Sequence, residues 1–536
     1  MRKSIFESTQ QRVPEANTVN EAGGVAYSMT AKHELAQYAT TGTFGDTFYV
    51  SGDDQLKRMK ELVPQVETEY LAKLAIYARQ EGYMKAMPAY LAAVLTTRGE
   101  EGIRLLKQIF PDVINNGRML RNFVQTIRSG VLGRKSLGTA PRNLVRQWLQ
   151  SRSPYQLFRD SVGNDPSIAD VIKMVHPTPR NEEEEAFYGY LIGKEYKFAN
   201  LPSIVQEYET FKNGTNKNIP NVEFRLLTGL ELSDSVWKEI ARNAKWMMTR
   251  MNINTFTRHN VFDTPEMIEM IANRLKDPEE IAKSMSFPFE LLTSYKATTN
   301  GNQQIPRAII NALQDAMDIS CNNAPEFVGK NIVVCVDTSG SMRSPVLGRG
   351  DGQRRYPMFY SPDPARPMCV EVAGIVASAI LRKNQDACVI PFDTAVRQVV
   401  LNPRDTVTTN IDKLAQLGGG GTNCSAPLTK LNSEKAKGID LVVYVSDYES
   451  WIDSRGNSYR STTTMIEWKE FKKRNPKAKM VCIDCAPNGT VQAPDRNEII
   501  NIGGFSDVVF KLMEKFVNGD MMTDRWVDTI ESITLG

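Results

Sequence analysis

No cysteine precedes residue 321 in this 536-residue chain. The seven that occur (Cys321, Cys335, Cys369, Cys388, Cys424, Cys482 and Cys485) are confined to the second half. That is not the spread of a disulfide-stapled secreted fold, and it points to a reducing, cytoplasmic setting. Histidine is scarcer still. His33, His176 and His259 all precede the α/β half described below, which leaves that half no histidine base for serine-hydrolase chemistry. There is no Walker loop. The opening MRKSIFESTQQRVPEANTVN has no apolar core and is not expected to act as a signal peptide. The longest apolar stretch, near Val370–Leu381, is too short and interrupted to span a bilayer, so no membrane partner is expected. Net charge is also nearly missing: the formal balance is only +3, so any charged surface must be local.

What is present is an ordinary globular composition, 41% apolar and 24% charged, with material for several structural units. From about residue 20 to 300 apolar residues recur at helical intervals, as in Tyr70–Glu81 and Met267–Leu275. Asp277-Pro278-Glu279-Glu280 and Thr264-Pro265-Glu266 read as helix starts. Many such helices joined by short turns suggest a HEAT-like helical repeat. Near residue 330 the pattern changes to β-branched runs, 331–336, 387–392, 441–446 and 479–484, alternating with helical stretches such as Val370–Arg382 and Thr462–Arg474. This predicts a doubly wound parallel sheet. The expected organisation is an N-terminal extension (1–19), a helical-repeat domain (20–300), a connecting helix (301–327), an α/β domain (328–520) and a C-terminal segment (521–536).

Asp337-Thr338-Ser339-Gly340-Ser341 follows the first predicted strand, where ligands of doubly wound sheets usually bind. A carboxylate and two hydroxyls at alternating positions can turn towards one cation. A flexible Gly418–Gly421 run can bring Thr422 close, and Asp447 ends the strand 441–446. These hard oxygens suit Mg²⁺, with Mn²⁺ as a substitute. Asp337, Ser339, Ser341, Thr422 and Asp447 together resemble the metal-ion-dependent adhesion site (MIDAS) of von Willebrand factor A domains. A haloacid-type phosphatase would need a second Asp in place of Ser339, so no enzyme is expected. Cys482-x-x-Cys485 reads as core and strand-end cysteines, and Glu182–Glu185 as the charged start of a helix.

Between Glu101 and Arg159 only Glu101 and Asp112 oppose a dense run of basic residues that includes Arg118, Arg121, Arg128, Arg134, Lys135, Arg142, Arg146 and Arg159. Such concentration in a near-neutral chain suggests a polyanion-binding surface, with Gly130–Gly138 as a loop that phosphates can approach. A basic face ahead of an A domain resembles the Ro autoantigen family, in its bacterial form, whose helical part is the TROVE domain. Asn20–Gly24 and Phe44–Tyr49 resemble the family's entry segment, and Gly133–Leu149 its W-G-R-x-x-[KR] stretch. Lys173–Pro177 resembles [KR]-x-x-H, Gly420–Cys424 G-G-T-D-C, and Gly503–Phe505 a late C-G-F.

The resemblance implies a ring of helical repeats closed by the A domain. It implies binding of a small structured Y-like RNA and of single-stranded 3′ ends of misfolded or unprocessed RNA, in RNA quality control, maturation or decay. An exoribonuclease such as polynucleotide phosphorylase is the implied protein partner. It carries RNA contact onto Arg159, Lys173 and His176, while Arg134, Lys135, Arg142 and Arg146 join them on charge. Leu132 stands in place of the family tryptophan, Asn423 in place of an aspartate, and Gly163 in place of a basic residue; Lys283–Pro288 lacks the histidine of the family's R-x-H-P segment. The loop 344–367, with Arg349, Arg354, Arg355 and Arg366, is a candidate RNA or partner contact. The alternative function is a metal-dependent module that captures an acidic partner through the A domain.

Overall fold

The computed structural model describes residues 13–42, 44, 51–163, 166–284, 288–300, 304–321, 324–346, 367–452, 461–486, 488–504, 508–519 and 525–536. The segments Gly45–Tyr49, 347–366 with its four arginines, and Phe505 lie outside the described residues, as do 285–287. The chain forms two compact units. One comprises residues 67–267 with 533–536, and the other residues 1–66 with 268–532.

The first unit is helical. Thr68–Gln80, Ala86–Leu95, Gly99–Val113 and Gly117–Arg128 stack so that a helix meets the next one and the one after, as in a solenoid. Their shared faces bury Leu71, Leu74, Leu91, Leu106, Phe110 and Phe123. At roughly 1.5–3 kcal/mol per fully buried large apolar side chain, these faces stabilise the stack far more than helix propensity does. The acidic run does begin a helix, Glu182–Ile192, where Asn181 accepts from Glu184 N–H and Arg180 pairs with Glu184.

The second unit is built on a sheet, and the eight strands among its described residues are named in chain order. They are β1 (Thr18–Val19), β2 (Val25–Ser28), β3 (Ile332–Asp337), β4 (Cys388–Phe392), β5 (Leu441–Ser446), β6 (Lys479–Asp484), β7 (Thr490–Val491) and β8 (Ile499–Gly503). Five form one parallel sheet in the order β4-β3-β5-β6-β8. β3 and β5 are buried along their whole length, as strands covered on both faces must be. The four predicted strands occur within one residue of their expected bounds, and β8 was not anticipated. The predicted helix starts hold as well. Asp277 accepts from the N–H of Glu279 and Glu280, and Thr264 from that of Met267.

The compact units cut across the expected domain boundaries. β2 pairs antiparallel with β7, and the helix Ala31–Thr41 packs on β8, so the segment around residues 18–41 belongs with the sheet. The cause is burial: His33, Gln37 and Thr40 on that helix are each under 7% exposed. His33, placed outside the α/β half on sequence position, therefore lies inside its unit. Its Nδ1 is 3.0 Å from Asp495.

Candidate functional site

The chain leaves β3 for β4 on one side and returns to β5 on the other. The carboxyl ends of β3 and β5 therefore form the topological switch point, where open α/β sheets hold ligands. Asp337 ends β3 and Asp447 follows β5, both fully in the interior. Ser446 Oγ donates to Asp337 Oδ2 at 2.5 Å, and Ser339 N–H donates to Oδ1 at 2.8 Å. The Ser339 and Ser341 hydroxyls are 3.1 Å apart, and Ser341 hydrogen-bonds Asp447. Burial, reinforced by the neighbouring Asp447, pushes the Asp337 carboxyl well above the usual carboxylate range; burial also raises that of Asp447.

Two buried carboxyls with converging hydroxyls form an oxygen donor set that lacks a compensating charge. A hard divalent cation fits that chemistry, with Asp337, Ser339, Ser341, Thr422 and Asp447 as the residues that would hold it. Among the described residues no three His, Cys, Asp or Glu side chains gather as a metal cluster, so hydroxyls must supply part of such a shell. Bound there, the cation would offer a partner carboxylate an electrophilic position.

The glycine run is pinned rather than flexible. Gly419 N–H donates to Thr338 O (2.8 Å), Gly340 N–H to Gly420 O (2.9 Å), and Gly420 N–H to Asp393 Oδ2 (3.3 Å). Gly418 has φ +69°, and a Cβ there would fall 2.4 Å from the Thr338 carbonyl. Thr422 is buried behind this run, and its carbonyl accepts from Trp451 and Ile452 N–H. Asp393, just after β4, was not singled out from the sequence. It takes two 2.7 Å hydrogen bonds from Arg397 and one from the glycine loop, so it positions that loop. A carboxylate at a strand end, like Asp337 and Asp447, was the available signal. The N-terminal segment props the other side. Asn20 Nδ2 donates to Ser450 O (2.8 Å) and Ala22 N–H to Glu449 (3.0 Å), while a Cβ on Gly24 would meet Ser450 O at 1.8 Å. Cys482 and Cys485 are buried core thiols.

The ten basic candidates do not converge on one site. Arg118, Arg121 and Arg159 line a cleft of about 750 Å³ with Lys85, Asn116, Asn122 and Arg225. Arg121 is held rigidly, 6% exposed and donating to Asp160 O at 2.8 Å. Burial, with Arg118 and Arg225 nearby, lowers its affinity for its own proton despite Asp160. Arg159 makes two 3.1 Å hydrogen bonds to Asp160. Lys85 and Arg225 lie outside the basic stretch and escaped sequence reading. Arg128, Arg146, Lys173 and His176 surround the end of a different helix, Ile168–Val175. Arg146 donates to Val175 O (2.5 Å), Arg128 contacts Met174, and His176 caps the helix with φ +47°. Arg134 is spent on the carbonyls of Ser136, Leu137 and Thr96, ordering the Gly130–Gly138 loop rather than facing a ligand. Lys135 and Arg142 are exposed.

Residues 331–517 match the family model of the Ro60 vWA domain, and residues 167–324 that of the TROVE domain. The chain belongs to the Ro family of TROVE-domain proteins. Two relatives share the name RNA-binding protein RO60. That of Deinococcus radiodurans is 21% identical, over 95% of this chain and 97% of its own. That of Caenorhabditis elegans is 22% identical, over 82% of this chain and 66% of its own. The crystal structure of the Deinococcus radiodurans RO (RSR) protein superposes with a TM-score of 0.61 at 17% identity, covering 92% of this chain and 100% of that one. The Ro fold, a helical repeat region followed by a vWA domain with a five-stranded parallel sheet, is therefore the fold of this chain. In this Ro-family chain the candidate metal residues all fall within the vWA match. Of the basic candidates, Lys173 and His176 fall within the TROVE match and the others precede it, while Arg225 of the cleft lies within it.

Proposed function

We propose that this chain is a non-catalytic, cytoplasmic RNA-binding scaffold whose helical unit takes RNA through the Lys85/Arg118/Arg121/Arg159/Arg225 cleft. That cleft carries the reading. Its guanidinium groups suit bidentate contact with phosphates, and Arg121 is already immobilised, so less entropy is lost on binding. The names of the Deinococcus and nematode relatives support RNA as the polyanion. The ligands are a small structured Y-like RNA and the single-stranded 3′ ends of misfolded or unprocessed RNA. The output is quality control, maturation or decay, with an exoribonuclease such as polynucleotide phosphorylase as partner.

The test is a salt-dependent titration of a tailed RNA against the native chain and an Arg118→Gln/Arg159→Gln/Arg225→Gln variant. Each lost phosphate contact reduces the slope of log K against log salt by about 0.7 for single strands, so the triple variant flattens it by roughly 2. An unchanged slope removes the cleft from the account.

A second reading rests on the Asp337/Asp447 pair at the switch point. In it, a Mg²⁺- or Mn²⁺-loaded A domain captures an acidic partner. Asp337→Ala would then abolish metal-dependent capture and leave RNA affinity intact.

A further inference from the structure

Among the described residues three aromatic side chains are more than a third exposed, Tyr155, Tyr196 and Phe198, and all belong to the unit that carries the basic cleft. Leaving such rings in water forgoes the burial that stabilises the rest of that unit. Tyr155 stands one turn before Arg159 on the helix Pro154–Asp160, while Leu157 and Phe158 between them are buried. Side chains four residues apart share a helix face, with Cβ atoms about 5–6 Å apart. Tyr155 therefore borders the cleft that Arg159 lines.

Phe158 ties the same helix to the other two rings. Its ring lies 6.2 Å from that of Tyr190, which lies 5.5 Å from that of Tyr196. The loop carrying Tyr196 and Phe198 is fastened at both ends. Lys194 N–H donates to Gly189 O at 2.8 Å, and Asn200 Nδ2 to Glu182 at 2.9 Å. Gly189 admits the loop, since a Cβ there would lie 3.0 Å from Glu195 O. Residues 193–199 are nonetheless exposed throughout. A backbone held in place with its rings in water is pre-organised to be covered by a ligand.

The charges indicate the ligand. Lys194 and Lys197 flank Tyr196 against one carboxylate, Glu195. The adjoining cleft sets Lys85, Arg118, Arg121, Arg159 and Arg225 against Asp160 and Glu223. Aromatic faces among cations suit a polyanion with flat faces of its own, which is single-stranded nucleic acid. A duplex, whose bases already stack on one another, cannot use them. We propose that Tyr155, Tyr196 and Phe198 stack the unpaired bases of a strand whose phosphates lie in the cleft. This rests on the RNA reading above and adds what separates an unpaired strand from a duplex.

The test follows the full chain binding a labelled oligoadenylate, and the same sugar–phosphate chain without bases, by fluorescence anisotropy across a salt series. Tyr155→Leu and Tyr196→Leu/Phe198→Leu keep apolar bulk but remove the aromatic faces. Each should weaken oligoadenylate binding about fivefold or more and leave the salt slope and the abasic affinity unchanged. Tyr155→Phe and Tyr196→Phe should bind as the native chain does, which a merely structural role for the leucine positions would not require. The native chain should prefer oligoadenylate to the abasic strand by at least the same factor. The proposal is overturned if either leucine variant binds oligoadenylate like the native chain, or if the abasic strand binds as tightly. In both cases the rings serve something other than bases, such as a protein surface. The cleft itself fails differently, through a salt slope that Arg118→Gln/Arg159→Gln/Arg225→Gln does not change.

Discussion

Removing divalent cations should make this chain less stable as pH rises, and Mg²⁺ should offset much of that trend. Burial and Asp447 push the Asp337 carboxyl up from an ordinary 3.8 to about 7. A pKa raised by folding gives a contribution fully present below the unfolded value and lost as pH climbs through the folded one. At about 1.4 kcal/mol per unit, the metal-free vWA unit forfeits on the order of 4 kcal/mol between the ordinary 3.8 and about 7, that is from acidic to neutral conditions. Cation binding needs the ionised carboxylates, so Mg²⁺ stabilisation grows over the same window. At a hundredfold excess over Kd it reaches ~2.7 kcal/mol. For a unit of this size that shifts Tm by roughly 4 °C. The assay is thermal unfolding across pH in EDTA and in MgCl₂, for the native chain and Asp337→Asn. The amide cannot ionise, so this variant should lose the Asp337 share of the pH trend, keeping that of the buried Asp447, Asp484 and Glu449, and should lose the Mg²⁺ response. A native metal-free Tm that is level between these limits, or a Mg²⁺ shift that survives in Asp337→Asn, refutes the reasoning.

Arg134→Met should cost ~1–3 kcal/mol in the helical unit, because three carbonyls lose their donor; urea unfolding measures it, while the RNA salt slope stays put. Gly503→Ala places a Cβ 2.0 Å from Gln37 Oε1, so denaturant midpoints should report roughly 1–3 kcal/mol of destabilisation, much of it relieved in combination with Gln37→Ala. Asp393→Asn loosens the glycine loop from Arg397 and Gly420 and should weaken Mg²⁺ binding in calorimetry without touching a donor of the shell.

The strands and the metal loop were legible because their signals are local. A six-residue β-branched run ending in Asp337, with hydroxyls two and four positions on, states both strand and site within ten residues. β1 and β7, two residues each, carry no period to read, and β8 (IINIG) was passed over although it is buried throughout. Asp393 was missed because the contact that gives it a role, the Gly420 N–H, is joined to it only by the fold. Charge counting grouped Arg134 with Arg118, although one faces carbonyls and the other a cleft, since composition cannot see direction. It passed over Arg225, which the fold brings from a distant helix to the same cleft. His33 was separated from the sheet by sequence distance alone; Asp495 lies more than four hundred residues away.

The most direct measurement of the central claim is competition binding between an RNA with a structured body and a free single-stranded 3′ end and its blunt duplex counterpart, on the native chain at physiological salt. The account predicts that the tailed RNA displaces the duplex and is not readily displaced by it. Equal competition, or binding no stronger than that of a generic basic protein, would contradict it.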